Sequence, residues 1–530
     1  MCGIFLYLGS KNVMGDFIKT RHRGPDNSHV VIEDNLFIGF HRLMINDLSY
    51  NGDQPFMHND CLSICNGEIY NFKELKEEYN LDCKSNSDCE VILHLYLKFK
   101  EQLSFTEDIV QKLCNLLDGE FAFIIYDKTN NIIIAARDRY GVRPLFIGKS
   151  DGELGLASEL KSLNDIFDYT TQFKPSTYMI YGKNINIIKN YNDISENYLE
   201  SNDNIDVILP SIKYTLEESV KKRLIADVPI CALLSGGLDS SLICGILSRY
   251  QKIHTFSIGL KDSTDLVYAK KVAEHINSYH HEVIVTEKEM LEAIPEVIKM
   301  IESYDITTVR ASVPNYLLAK YIKNNTDFRV CFSGEMSDEV NSSYLYFKKA
   351  PDGDALHNES NKLIENLCYF DNLRADRCIA GNSLEARIPF SDHHYVKLIQ
   401  SIHPKLRMCN DKIEKFLLRK AFDGSNIIPD EVLWRVKAAF SDAVSSKENS
   451  WYKIIQEYVD TKVTDNEFVT ESPQFVHCTP HTKESYYYRK IFHQHYKNEN
   501  IIPHFWMPNL DWVGDITDPS ARELTDICKD

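Results

Sequence analysis

The chain has 530 residues, 43% apolar and 26% charged, with a formal net charge of −18, a length that exceeds one ordinary core and predicts two to three domains. No run of about 18 apolar residues could span a bilayer, no apolar signal segment follows Met1, and the acid excess leaves nothing to neutralise a long track of phosphates. A membrane protein and a nucleic-acid binder are thereby excluded, and a cytosolic location is expected.

In chain order, the first element is the apolar run Met1-Cys2-Gly3-Ile4-Phe5-Leu6-Tyr7-Leu8, suited to a buried strand. Removal of Met1 would leave Cys2 with a thiol and its own α-amine on adjacent atoms. That amine, with a pKa of roughly 7.7 to 8.0, can take the thiol proton near neutral pH, so one residue supplies nucleophile and base. Taken alone, a cysteine at position 2 is more often incidental. The chain's 14 cysteines are otherwise scattered, without a CxxC pair or a Cys/His cluster at zinc spacing, and read as reduced thiols.

Next come Arg21-His22-Arg23-Gly24-Pro25-Asp26, His41-Arg42-Leu43-Met44-Ile45-Asn46-Asp47, Asn66-Gly67-Glu68-Ile69-Tyr70-Asn71, Ser87-Asp88-Cys89-Glu90, Asp118-Gly119-Glu120-Phe121 and Ala136-Arg137-Asp138-Arg139-Tyr140-Gly141-Val142-Arg143, separated by β-rich stretches. Each has a plain alternative. Arg42 could form a surface ion pair, Asn66-Gly67 is a standard turn dipeptide, and Asp88 could cap a helix beginning near Glu90.

Residues 191–206 are polar and aperiodic, which places a linker there. Helical and short apolar segments then alternate: helix 216–224, strand 228–234, helix 242–250, strand 254–258, helix 266–276, strand 281–285. Such alternation predicts a parallel sheet with helices on both faces and ligands at the carboxyl ends of its strands. Three loops follow strands in this way: Ser235-Gly236-Gly237-Leu238-Asp239-Ser240-Ser241, Gly259-Leu260-Lys261-Asp262, and Ser333-Gly334-Glu335-Met336-Ser337-Asp338-Glu339. In the first, a two-glycine turn frees backbone N–H groups for phosphate oxygens and a helix starting at Ser240 adds its positive dipole end. The lysine of a Walker loop is absent, and the spacing fits the ATP-pyrophosphatase loop, which splits ATP between the α and β phosphates. Asp239 and Asp338 offer hard oxygen ligands for Mg²⁺.

In order and spacing, the N-terminal segments resemble the glutaminase domain of class II amidotransferases. SGGLDSS downstream narrows the resemblance to the glutamine-hydrolysing asparagine synthetases, and it extends to Thr479-Pro480-His481…Arg489 and Thr517-Asp518-Pro519-Ser520-Ala521-Arg522. It implies an α+β N-terminal nucleophile (Ntn) sandwich, αββα, over residues 2–193, and an α/β ATP-pyrophosphatase-type domain with a parallel sheet over 206–530. It further implies that Cys2 is the nucleophile, that Asn66 and the Gly67 N–H form the oxyanion hole, and that Arg42, Leu43, Met44, Ile45, Asn46, Glu68 and Asp88 bind glutamine. An arginine and one or two carboxylates suit an amino acid's own two charges. The adenylate would contact Leu233, Ser235, Gly236, Gly237, Asp239, Ser240, Ile258, Ser333 and Gly334. Glu335 would support β-aspartyl-AMP formation and Lys437 would neutralise pyrophosphate. Arg310, Asp371 and Arg374 suit the charged ends of aspartate, whereas Tyr344 and Tyr486 to Tyr488 read as packing residues.

The implied reaction converts aspartate, glutamine, ATP and water to asparagine, glutamate, AMP and pyrophosphate, with ammonia passing internally between two sites. Departures from the family concentrate around the second site. Met336 replaces a glycine, Asn341-Ser342-Ser343 a glycine-containing segment, Ala438 a glutamate, and Ala443 another glycine. A lost glycine costs about 0.5 to 3 kcal/mol where φ > 0 is required. Two alternatives stay open: a catalytically reduced glutamine- or AMP-binding regulatory protein, and a related amidotransferase acting on another carboxylate. The oligomeric state, a homodimer included, is also open.

Overall fold

The computed structural model describes residues 1–192, 204–409, 413–436, 444–445 and 450–520. It divides into two compact units: Met1–Ile194 with Leu224–Pro229 and Ala380–Glu385, and the remainder. The first therefore gathers two later excursions of the chain that the linear boundary at 193 does not include.

The first unit holds two six-stranded sheets. One has the order β10(Thr170–Gln172), β8(Phe146–Ser150), β9(Glu153–Ala157), β1(Gly3–Leu8), β3(Leu36–Arg42), β2(Asn27–Glu33). The other runs β12(Ile185–Asn190), β11(Thr177–Gly182), β7(Ile132–Arg137), β6(Gly119–Asp127), β5(Cys61–Ile69), β4(Phe56–His58). Their pairings are antiparallel.

Side-chain alternation decides what each face of the second sheet covers. Leu62, Ile64, Ala122 and Ile124 pack with Ile4, Leu6, Ile38 and Phe40 of the first sheet in a shared core. Cys61, Cys65, Phe121, Phe123 and Ile125 face the opposite way, onto Val91, Ile92, Leu95, Tyr96 and Phe99 of the helix Glu90–Gln102, whose apolar residues recur at helical spacing. Asn66 shares the face of Leu62 and Ile64, and Cys2, at the head of β1, packs against that same inter-sheet core.

The second unit carries a five-stranded sheet in the order β15(Tyr279–Ile284), β14(His254–Gly259), β13(Ile230–Leu233), β16(Val330–Phe332), β17(Glu385–Arg387). β13 runs parallel to β14 and β16, and β14 parallel to β15. Helices Leu238–Leu247, Thr264–His275 and Ile306–Asn325 connect these strands in sequence. The expected alternation is present with shifted ends: the helix after the glycine turn begins at Leu238 rather than Ser240, and the helix expected at 216–224 spans Ile205–Lys222.

Candidate active sites

In the first unit, several of the polar segments serve as scaffold. Arg23 is fully buried, donating to the Cys2 carbonyl at 2.9 Å and to Glu159 at 2.8 Å. Arg137 donates to the carbonyls of Arg143 (2.7 Å), Gly141 (2.9 Å) and Phe173 (2.7 Å). Asp138 accepts from the N–H groups of Tyr140, Val142 and Arg143. These residues hold loops rather than line a pocket.

Around Cys2 the geometry is different. Its Sγ lies 3.9 Å from the Leu43 carbonyl, and burial pushes the thiol up to about 11, against the opposing pull of the neighbouring N-terminal ammonium. Met1 itself is buried, its ammonium 3.4 Å from Glu385 and its Sδ 2.8 Å from the Arg143 guanidinium. With Met1 in place the thiol is therefore protonated at neutral pH. Alkylation of Cys2 in a chain that retains Met1 is expected to be slow at pH 7 and to accelerate about tenfold per unit up to pH 9, because only the thiolate reacts. Mass spectrometry of the N-terminal peptide after iodoacetamide checks this; a pH-independent rate would contradict the assignment.

Asn66 lies within β5 and is not in a turn, and Gly67 beside it is required sterically: a Cβ there would sit 2.4 Å from the Glu120 carbonyl. Asn66 is fully buried, and among the described residues neither its Nδ2 nor its Oδ1 has a hydrogen-bond partner. An orphaned buried amide costs about 1–3 kcal/mol, so it persists where something else meets it.

Asp88 does not cap the helix that follows. Its carboxylate accepts from the Ile69 N–H at 2.8 Å and from Asn46 Nδ2 at 3.3 Å, and that same amide donates to Glu68 at 2.7 Å. Burial raises the Asp88 carboxyl above the usual range, with those donors pulling it back. Arg42 is buried, not a surface pair. Its Nη1 bonds Asp53 (2.6 Å) and the Ser49 carbonyl (2.7 Å), while Nη2 meets the carbonyls of Asn46 and Asp47. Gly52 makes room for it, since a Cβ there would lie 2.2 Å from Nη2. Leu43 and Ile45 are buried alongside, and the Met44 N–H is held by Asp26 at 2.8 Å.

In the second unit a cavity lies where the sheet's carboxyl ends meet the following loops. Leu233, Ser235, Gly237, Asp239, Ser240, Ile258, Ser333, Gly334, Glu335, Asp338, Asp371 and Arg374 all line it. Gly236 lies just behind, at φ 77°, where a Cβ would come within 2.5 Å of the Ala269 N–H. Of the loop 259–262 nothing beyond Ile258 reaches the cavity. Gly334 allows its loop to press on the helix N-terminus, its virtual Cβ only 2.8 Å from the Ser240 nitrogen.

Arg374 bonds both Glu335 oxygens, at 2.9 and 2.5 Å, and Asp371 at 2.9 Å. Burial nevertheless raises the Glu335 carboxyl above its ordinary value. Tyr344 packs against Trp506, as expected of a core aromatic, yet its hydroxyl also donates to Glu339 at 2.5 Å on the cavity wall.

Arg310 departs from the expected aspartate site and does not line the cavity. It is clamped by Glu484 (2.8 and 2.6 Å) and Asp518 (2.8 and 2.7 Å), two acids from the C-terminal segments. Its charge fastens those segments to the helix Ile306–Asn325. Lys437 lies outside the described residues, as do Ala438, Ala443, residues 521–522 and most of the linker.

Lys415 is the residue that sequence reasoning missed. Its Nζ sits 2.5 Å from Asp239 and 2.7 Å from Asp338, the two acids expected to hold a metal. Burial would lower the ammonium's pKa, but the two carboxylates outweigh it and raise it. A lysine ahead of an amphipathic helix reads as solvated, so no local signal marks it. Arg435 was missed similarly; it donates to the Gly236 carbonyl at 3.0 Å and to Asp265 at 3.2 Å, bracing the glycine turn.

Two residues of the segments that depart from the family pattern have a left-handed backbone. Met336 sits at φ 71° and Ser342 at φ 53°, both left-handed. Ser342 also buries a hydroxyl that has no partner among the described residues. Ser342→Gly is expected to stabilise the second unit by about 1 kcal/mol, the net of relieved strain and a removed orphan against the entropy of an added glycine. All four tryptophans fall at 434 or beyond, so the urea midpoint followed by tryptophan fluorescence reads that unit; an unchanged or lower midpoint would count against it.

Comparison with known proteins agrees with this division. Residues 1–197 match the family model of the glutamine amidotransferase domain, and residues 211–366 and 349–513 match that of asparagine synthase. The glutamine-hydrolysing asparagine synthetase of Gallus gallus is 41% identical over 565 aligned positions, covering 99% of this chain and 98% of that protein. The corresponding protein of Cricetulus griseus is 42% identical over 566 positions, covering 99% of each. A probable asparagine synthetase of Acanthamoeba polyphaga mimivirus is 42% identical over 562, covering 99% of this chain and all of that one.

Proposed function

Because the chain belongs to the glutamine-hydrolysing asparagine synthetase family, we propose that it makes asparagine and AMP from aspartate and ATP with nitrogen from glutamine, and that the residues above divide the work as follows. Once Met1 is removed, the Cys2 α-amine takes the thiol proton and Sγ attacks the glutamine side-chain amide. The oxyanion that develops meets the Asn66 amide and the Gly67 N–H. Asp88 and Glu68 receive the substrate ammonium. Its α-carboxylate competes with Asp53 for Arg42, so that binding glutamine loosens the Arg42–Asp53 pair. Ammonia leaves, and water releases glutamate from the thioester.

At the second site the glycine turn, braced by Arg435, offers backbone N–H groups and the start of the helix Leu238–Leu247 to the phosphates of ATP. Arg374 orients Glu335 and Asp371 beside the aspartate, whose β-carboxylate attacks the α-phosphorus, breaking its bond to the bridging oxygen and releasing pyrophosphate to leave β-aspartyl-AMP. Asp239 and Asp338 would hold Mg²⁺; two carboxylates already sharing one cation fit a hard divalent ion. Bound there, the ion would supply charge to the phosphates. Lys415 supplies a fixed ammonium at the same place, and ammonia displaces AMP from the acyl adenylate.

The observation that carries this reading is Asn66: a buried amide with both polar atoms unpartnered among the described residues, on the sheet face that Cys2 packs against. Its test is Asn66→Ala. Glutamine-dependent turnover should fall about 10²- to 10³-fold, the usual worth of one oxyanion donor, with asparagine formation from added ammonia unchanged. Equal loss of both activities, or of neither, would remove Asn66 from this role.

A further inference from the structure

Outside both sites, Cys83, Glu90 and His94 bring three different metal-ligating atoms within 4.8 Å of one another. Glu90 and His94 stand one turn apart on the helix Glu90–Gln102, Nε2 to Oε1 at 3.4 Å. That separation is the edge of a tetrahedral site, about 3.3 Å for a nitrogen and an oxygen each near 2.05 Å from zinc. An i,i+4 ion pair accounts for those two, but not for a thiol converging on the same point from the preceding segment, which has neither helix nor strand between 79 and 89.

The carboxylate is already aimed. Glu90 Oε1 accepts from the Lys84 N–H at 2.9 Å, and Oε2 accepts from the Ser85 N–H at 2.7 Å and its hydroxyl at 2.6 Å. Outer hydrogen bonds of this kind fix a metal-binding carboxylate in place. His58 packs against the His94 ring, centroids 5.1 Å apart, and is half-buried.

We propose that Cys83, Glu90 and His94 form a binding site for a thiolate-accepting divalent cation of the zinc type, with His58 or water completing a tetrahedron. A mixed sulfur, nitrogen and oxygen set of this kind suits zinc and excludes magnesium or calcium, which take oxygen alone. Binding forms a metal–sulfur bond and releases the Cys83 thiol proton to solvent. The site clips the loop 83–90, which carries Asp88, so occupancy couples to the glutamine pocket. This coupling rests on the glutaminase reading above; the binding does not.

The test uses the full-length protein, freed of metal with a chelator and titrated with Co²⁺ as a spectroscopic probe and then with Zn²⁺. The expected result is one equivalent bound with a thiolate-to-cobalt charge-transfer band, displaced by Zn²⁺. Cys83→Ser should lose the band, and His94→Gln should weaken binding at least tenfold, each retaining glutaminase activity in the absence of metal. Absence of the band in the unaltered protein, or its persistence in Cys83→Ser, would overturn the site. If the metal binds but the glutamine KM is the same with and without Zn²⁺, the coupling to Asp88 is overturned and the site alone stands. Loss of glutaminase in every form, with cobalt binding intact, counts against the glutaminase reading rather than the metal site.

Discussion

Replacement of Cys2 by alanine is expected to lower glutamine-dependent asparagine formation at least a thousandfold while ammonia-dependent formation stays within about twofold. The first figure follows from chemistry: no other thiol in this pocket can take over covalent capture of the amide. Among the described cysteines, Cys65 and Cys89 are closest in sequence to the Asn66 and Asp88 segments, but both are buried, and Cys65 faces the helix side of its sheet, away from Asn66. The second figure follows from the organisation of the chain, because every cavity-lining residue of the ATP site belongs to the other compact unit. Labelled asparagine measured with either nitrogen source checks both halves. Loss of ammonia-driven synthesis in the same variant would show that the two reactions do not have separate machinery.

This prediction depends on features that were legible residue by residue. The strand–glycine–helix order placed the loop 235–241 at a carboxyl edge of a parallel sheet, where it lines the cavity. Met336 was readable as well: a residue standing where glycine is usual does lie at positive φ. What could not be read were pairings made across long separations. Arg310 meets acids 174 and 208 residues away, and Lys415 meets Asp239 at a separation of 176. A lone charge carries no local sign of whether its partner will be water, a substrate or a distant acid. Arg310 was therefore given to aspartate although Glu484 and Asp518 hold it, and Lys415 was passed over although it pairs with both Asp239 and Asp338.

Lys415→Met is expected to lower asparagine formation about a thousandfold from either nitrogen source, close to 4 kcal/mol of transition-state stabilisation, while glutamine hydrolysis by the other unit stays within twofold. Glu335, Asp338, Glu339 and Asp371 all line one cavity with Asp239, and burial raises the Glu335 and Glu339 carboxyls above their ordinary values. Removing the ammonium leaves Asp239 and Asp338 facing each other and the incoming triphosphate without a fixed counter-charge. The acidity that suits a metal and an ammonium then repels the nucleotide, so the loss should be shared between the ATP KM and kcat. Methionine keeps the length and apolar stem, and tryptophan fluorescence confirms that the unit remains folded. Lys415→Arg should recover part of the activity, since charge returns but the wider guanidinium does not fit between two carboxylates that lie 2.5 and 2.7 Å from the present nitrogen. Unchanged ammonia-dependent synthesis in Lys415→Met would show that the two acids are neutralised by something else during turnover and that this lysine has no part in it.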